Sequence, residues 1–297
     1  MTSQNKTARN VEIGQKRFNE IKKKGIKCEY SLYSKKEIEK DPNLEKAKLY
    51  YFPNLSGEKT NYAIIAPGGG YFECDVNKVA FPCAATMNKL GYTAFVLAYR
   101  YGKYSSKYAP IKDMAKAIKF ITDKVDEFNI KTENYLCVGY SAGGNLVGNF
   151  ASKDLGYKKY KVNRPKALAL VYPWININGP VPITGNPFQE LLSLVEQIVG
   201  NKYLLGNNST EEERKNICVQ NHVDKDYPAT YLIHGDHDFV VPHKQNAEIM
   251  VQALKDSKVS YKYRLAKGLN HGFGLGVGTT AEGWVKEAVN FWQAQLI

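Results

Sequence analysis

Short apolar runs separated by helical patterns recur along this chain, and that alternation restricts its fold more than any other feature. Tyr62–Ala66, Thr93–Ala98, Tyr135–Val138, Ala167–Val171, Thr230–Ile233 and Ser260–Leu265 read as strands. Helical spacing falls between and after them, at 79–90, 109–128, 142–152, 241–255 and 282–295. In 109–128 it brings Ile111, Met114, Ala115, Ile118 and Ile121 to one face. Apolar strands without polar alternation, joined by helices, make a mostly parallel sheet flanked by helices on both faces.

The segment from Trp174 to Pro228 breaks the rhythm. It holds Pro180, Pro182 and Pro187, an apolar helical stretch from Phe188 to Tyr203 and an acidic run at 211–213. An interruption of that length between core strands is expected to be a lid or substrate-binding cap. Residues 1–53 are charged and weakly patterned, with a short helix expected at Gln15–Lys24 and an early strand at Ala47–Phe52. The expected organisation is an N-terminal extension (1–53) packing on one α/β catalytic domain (54–297) with a cap inserted at about 174–228.

Composition narrows the function classes. The chain is 43% hydrophobic and 24% charged, enough apolar residue for a buried core. Its formal net charge of +12 raises nucleic acid as a partner. The lysines are scattered, however, and no nucleic-acid motif accompanies them, so a solvated basic surface is expected and no nucleic-acid partner. The five cysteines are odd in number and irregularly spaced, giving neither a disulfide framework nor a metal site. No run is long and apolar enough to span a bilayer, and Met1–Glu12 lacks a signal-peptide core, so no membrane partner and a cytoplasmic location are expected. A mature form stripped of its signal would look similar. Nothing in the sequence fixes the oligomeric state.

The strongest chemical signal is Gly139-Tyr140-Ser141-Ala142-Gly143, directly after one strand and directly before a helix. That is the setting of a nucleophile elbow, in which a strained turn presents a serine above the sheet edge. Read blandly, Ser141 would cap a helix between two turn glycines. A second signal, Pro67-Gly68-Gly69-Gly70-Tyr71, also follows a strand. Its uncovered backbone N–H groups suit an oxyanion, with Gly69, Gly70 and Ala142 as the expected donors. No P-loop lysine-serine pair or dinucleotide fingerprint is present.

A serine needs a base, and the base needs an acid that fixes its tautomer. His271, in the glycine-flanked loop Asn270-His271-Gly272-Phe273-Gly274, is the histidine placed to reach over the sheet edge. His234, at a strand end, reads as a packed core residue. The acid belongs in the loop after the preceding strand, where Asp236 and Asp238 both qualify by position.

Together with Leu97-Ala-Tyr-Arg100, Pro110-Ile-Lys-Asp113 and His234-Gly-x-x-Asp238-x-x-Val-Pro242, these motifs resemble the esterase/lipase branch of the α/β-hydrolase superfamily. They are most similar to its acetyl-esterase-like group, which includes acetylxylan esterases and other carbohydrate esterases. The likeness runs from about Tyr62 to the C-terminus. It implies an α/β-hydrolase fold, and it selects Asp238 over Asp236, since that aspartate of the motif is the family's acid. Pro67 departs from the histidine that many lipolytic relatives carry there, which bears on subfamily more than on activity. Arg100 and Asp113 read as a structural pair.

The expected chemistry is acyl transfer through Ser141, His271 and Asp238, with no cofactor and no metal. Tyr71, Phe72, Trp174 and Phe273 either wall a small acyl pocket or pack as ordinary core aromatics. Short-acyl, acetyl-like esters on carbohydrates are the expected substrates. Two alternatives remain open on the sequence: an oligopeptidase-like serine peptidase, and a non-catalytic hydrolase fold used for binding.

Overall fold

The computed structural model describes residues 3–180 and 185–296. Residues 181–184 of the expected cap, Pro182 among them, lie outside the described residues. In chain order the elements are α1 (Ser3–Lys23), β1 (Glu29–Ser31), α2 (Lys35–Lys40), β2 (Lys48–Phe52), β3 (Tyr62–Ala66), α3 (Ala80–Lys89), β4 (Thr93–Ala98), α4 (Ala109–Asp123) and α5 (Val125–Phe128). There follow β5 (Leu136–Tyr140), α6 (Ala142–Phe150), β6 (Ala167–Val171), α7 (Pro187–Leu205), α8 (Glu211–Asn216), β7 (Ala229–Gly235), α9 (Ala247–Asp256), β8 (Tyr261–Ala266) and α10 (Trp284–Ala294).

Among the described residues, eight strands join one sheet in the order β1-β2-β4-β3-β5-β6-β7-β8. From β4 to β8 every pairing is parallel, and β1 and β2 add on antiparallel. Alternate residues of the central strands feed two cores. Tyr62, Ile64, Cys137, Leu168 and Leu170 share one with Met114, Ile118, Leu146 and Met250 from α4, α6 and α9. Ala63, Ile65, Val138, Ala169 and Val171 share the other with Phe81, Cys83, Trp284 and Trp292 from α3 and α10. This two-sided burial is why β3, β5 and β6 carry no polar residue.

The first fifty residues are more structured than their pattern suggests. The expected helix at 15–24 is the second half of the longer α1, and the segment supplies two strands to the sheet. Phe18 of α1 packs its ring against Tyr50, Phe52 and Phe81, at centroid distances of 5.8, 5.3 and 4.7 Å. The long helix expected at 109–128 breaks at Lys124, between α4 and α5.

The helix expected from Val241 begins only at Ala247. Val240 and Val241 donate their N–H groups to Asp238, which keeps that stretch out of a helix. Arg100, at the end of β4, and Asp113, on α4, form the expected buried pair. Arg100 Nη2 lies 2.7 Å from Asp113 Oδ1, and the backbone N–H of Arg100 donates to Oδ2 at 2.9 Å.

Candidate active site

The turn from β5 into α6 holds Ser141 at φ 50° and ψ −118°, a region that L-residues other than glycine rarely occupy. Crowding enforces the glycines on either side. A Cβ on Gly139 would lie 2.4 Å from the carbonyl oxygen of Gly143, and one on Gly143 would lie 2.3 Å from that of Pro67. The serine is thereby lifted above the C-terminal edge of the sheet. Its own N–H donates to Val171 O on the neighbouring strand.

Three side chains from three separate loops meet there. Asp238 Oδ2 accepts from His271 Nδ1 at 2.6 Å, and Ser141 Oγ donates to His271 Nε2 at 2.9 Å. An ionised carboxylate can only accept, so Nδ1 carries the hydrogen and Nε2 presents its lone pair to the serine. Asp238 is buried and saturated with donors. Its Oδ1 takes the N–H groups of Val240 (3.1 Å) and Val241 (2.8 Å), and Oδ2 also faces His234 Nε2 at 3.1 Å.

The two partners shift in opposite directions. Burial alone would raise the Asp238 carboxyl, but the imidazole of His271 and the hydrogen bonds from His234 and His271 hold it well below the usual carboxylate range. Burial works against a charged His271, yet the facing Asp238 carboxylate, with a further contribution from Glu196, lifts it above the ordinary imidazole value.

Asp236, two residues away, takes no part. Its Oδ1 accepts from Gly268 N at 2.6 Å and fastens the loop after β8. His234 is fully buried beneath Asp238, as a packed residue should be.

Facing Ser141 is the turn 67–71. Gly69 and Gly70 both sit at positive φ, 118° and 54°, and the Gly69 carbonyl accepts from Phe72 N and Glu73 N at 3.0 Å. Ala142 is the first residue of α6, so its N–H is one of the donors a helix start leaves free. Among the described residues the N–H groups of Gly69, Gly70 and Ala142 have no backbone acceptor.

Ser141 and His271 open into a cavity of about 210 Å³ lined also by Gly68, Phe72, Val79, Tyr172 and Glu196. Of the four aromatics expected in the wall, only Phe72 lines it. Tyr71 turns into the core, 1% exposed, and donates its hydroxyl to Asn145 Oδ1 at 2.8 Å. Trp174 lines a smaller neighbouring space with Ser193 and Glu196. Phe273 packs edge-on against Tyr172, with ring centroids 4.7 Å apart, and lines a separate neighbouring space.

Tyr172, at φ 37°, is the aromatic that touches the machinery, its ring 4.8 Å from that of His271. It sits one residue past a strand end, a position that was legible. Glu196 was not legible, since nothing in the pattern of α7 tells which side of that helix faces the serine. Among the described residues no cluster of His, Cys, Asp and Glu has the geometry to hold a metal ion, and no helix is long and apolar enough to cross a membrane.

Comparison with known proteins gives a consistent result. The BD-FAE family model matches residues 49–254. The chain is 25% identical over 250 residues to endo-1,4-beta-xylanase B of Butyrivibrio fibrisolvens, covering 79% of this chain and 36% of that protein. It is 24% identical over 210 residues to an acetylxylan esterase of Xylanibacter ruminicola, covering 71% of this chain and 40% of that protein. The chain thus spans well under half the length of these curated relatives. Among solved structures, the acetyl ester-xyloside bifunctional hydrolase from Caldicellulosiruptor lactoaceticus superimposes with a TM-score of 0.69 at 24% identity, over 90% of this chain and 94% of that one. That likeness shows the fold, an α/β hydrolase.

Proposed function

The chain belongs to the BD-FAE family, and from that premise we propose that it is a serine carboxylesterase removing short acyl groups, acetyl in particular, from carbohydrate esters. One observation carries the reading: an unbroken hydrogen-bonded path from Asp238 through His271 to Ser141 that ends in a small cavity.

In the proposed reaction the Ser141 Oγ–H proton passes to His271 Nε2 as Oγ bonds to the ester carbonyl carbon. The carbonyl oxygen becomes an oxyanion, held by the N–H groups of Gly69, Gly70 and Ala142. Collapse breaks the bond to the alcohol oxygen, which takes the proton from Nε2 and leaves. Water then repeats the sequence on the acyl-enzyme, freeing the acid and restoring Ser141. Asp238 stays ionised throughout and stabilises the transient imidazolium.

The small size of the cavity supports a short acyl group. A cavity of about 210 Å³ falls short of the roughly 300–1,000 Å³ typical of drug-sized ligand sites. The carbohydrate half of the proposal draws on the acetylxylan esterase and the acetyl ester-xyloside hydrolase to which the chain is similar.

The test is the turnover of p-nitrophenyl esters with acyl chains of increasing length, with Ser141→Ala as control. Fast acetate release that declines with chain length and is lost in the variant is the expected outcome. Turnover that survives Ser141→Ala refutes the mechanism, and a preference for long chains refutes the short-acyl assignment.

A further inference from the structure

Glu196 stands on α7 and lines both the Ser141 cavity and the smaller space beside Trp174. Its position over the glycine loop is close: a methyl group built on Gly70 would come within 3.5 Å of Glu196 Oε2. No hydrogen-bond or ion-pair partner for this carboxylate exists among the described residues. The one lysine lining the cavity pairs with two other carboxylates of the same lining, Lys78 Nζ lying 3.4 Å from Asp75 and 3.7 Å from Glu73. Burial raises the Glu196 carboxyl above its ordinary value, with His271 pulling the other way.

Glu196 is only half-buried and faces an open cavity, so water can serve its carboxylate while the site is empty. A substrate that displaces that water must supply a donor in its place or lose affinity. In an esterase site the missing donor has two sources, the acyl half and the alcohol half of the substrate. An acetyl group carries no N–H or O–H. The alcohol half of a partly acylated sugar carries several hydroxyls.

Resting on the esterase reading above, we propose that Glu196 is a specificity-determining residue whose carboxylate accepts a hydrogen bond from a free hydroxyl on the alcohol half of the ester. It thereby selects partly acylated polyols over esters of alcohols that have no further hydroxyl. A hydrogen bond to a charged acceptor contributes about 1.5–3 kcal/mol, equivalent to roughly ten- to a hundredfold in kcat/KM.

The experiment compares wild type, Glu196→Gln and Glu196→Leu on three acetates, each protein on the upper plateau of its own pH–rate profile so that protonation of His271 does not enter the comparison. Monoacetylated methyl xyloside offers a hydroxyl. Phenyl acetate offers none. Acetylcholine offers a positive charge but no hydrogen to donate. Glu196→Leu is expected to lower kcat/KM on the xyloside acetate by at least about tenfold more than on phenyl acetate, with Glu196→Gln in between because its amide oxygen still accepts.

Equal losses on all three substrates mean that Glu196 only supports the fold of the cap, and overturn the proposal. A larger loss on acetylcholine than on the sugar shows charge attraction and also overturns it. Wild type that hydrolyses none of the three refutes the esterase reading itself. Normal hydrolysis of phenyl acetate with an unchanged substrate preference in the variants refutes only the role of Glu196.

Discussion

Asp238 takes four donors, from His271, His234, Val240 and Val241, which fills the acceptor capacity of a carboxylate. Asparagine there offers one acceptor oxygen and introduces N–H groups that face other donors. Asp238→Asn is therefore expected to lower kcat on p-nitrophenyl acetate by about 10⁴, while Asp236→Asn, which disturbs only the Gly268 contact, stays far closer to wild type. The reverse ranking in steady-state kinetics would reassign the acid. Sequence position alone could not separate these two residues, two apart in one loop, because the direction of each side chain is set by that loop's turns. For the same reason the sequence left Tyr71 and Trp174 open between the wall of the cavity and the core.

His271 titrates above the ordinary imidazole value of about 6.5. In the proposed mechanism His271 is a base that works only when neutral, so kcat/KM should rise with pH through the raised value and be suppressed below it. Glu196 contributes to that rise. Replacing it with glutamine removes a negative charge that favours the imidazolium, so the acid limb should move to lower pH. A pH–rate profile of the two proteins decides it, and an unchanged limb would mean that Glu196 and His271 are not electrostatically coupled.

At the scale of elements, the site is a consequence of how closely β3, β5 and α6 approach one another. The carbonyls of Ala66 and Pro67 lie against the Cα of Gly143 with no space between. Gly143→Ala must push α6 away from the end of β3, at a cost of about 1–3 kcal/mol or more, and should impair turnover along with stability. Urea unfolding measures the first effect and ester hydrolysis the second. A stable but inactive variant would separate the geometry of the elbow from the packing of the helix.

The Arg100–Asp113 pair ties the end of β4 to α4, and the Tyr33 hydroxyl adds a bond to Asp113 Oδ1 at 2.7 Å. Asp113→Ala leaves a buried guanidinium without its partner and should cost about 3–5 kcal/mol, visible as a lower urea midpoint. The central strands and their helices were legible because two-sided burial leaves a continuous apolar run. The three-residue β1 was not, since only its middle residue, Tyr30, is buried.

For the whole molecule, the sequence pattern suggests a catalytic domain with an extension laid against it, whereas contacts in the structure tie the first helix to both the core and the site. Phe18 and Ile21 of α1 are buried in the same core as Phe52, Phe81 and Trp284. Further up the same helix, Asn10 lines the Ser141 cavity. The polar composition of α1 hid this, because a helix needs only a narrow apolar stripe to dock. Phe18→Ala empties a packed aromatic cluster and should cost about 3–5 kcal/mol, lowering the thermal midpoint by several degrees. If α1 also positions the rim of the cavity, Asn10→Ala, which removes only the amide, should change KM for short esters while leaving that midpoint near wild type. Loss of stability in the first variant with unaltered kinetics in the second would make α1 a support of the core alone. An unchanged midpoint in Phe18→Ala would mean that the aromatic cluster contributes little to holding the helix in place.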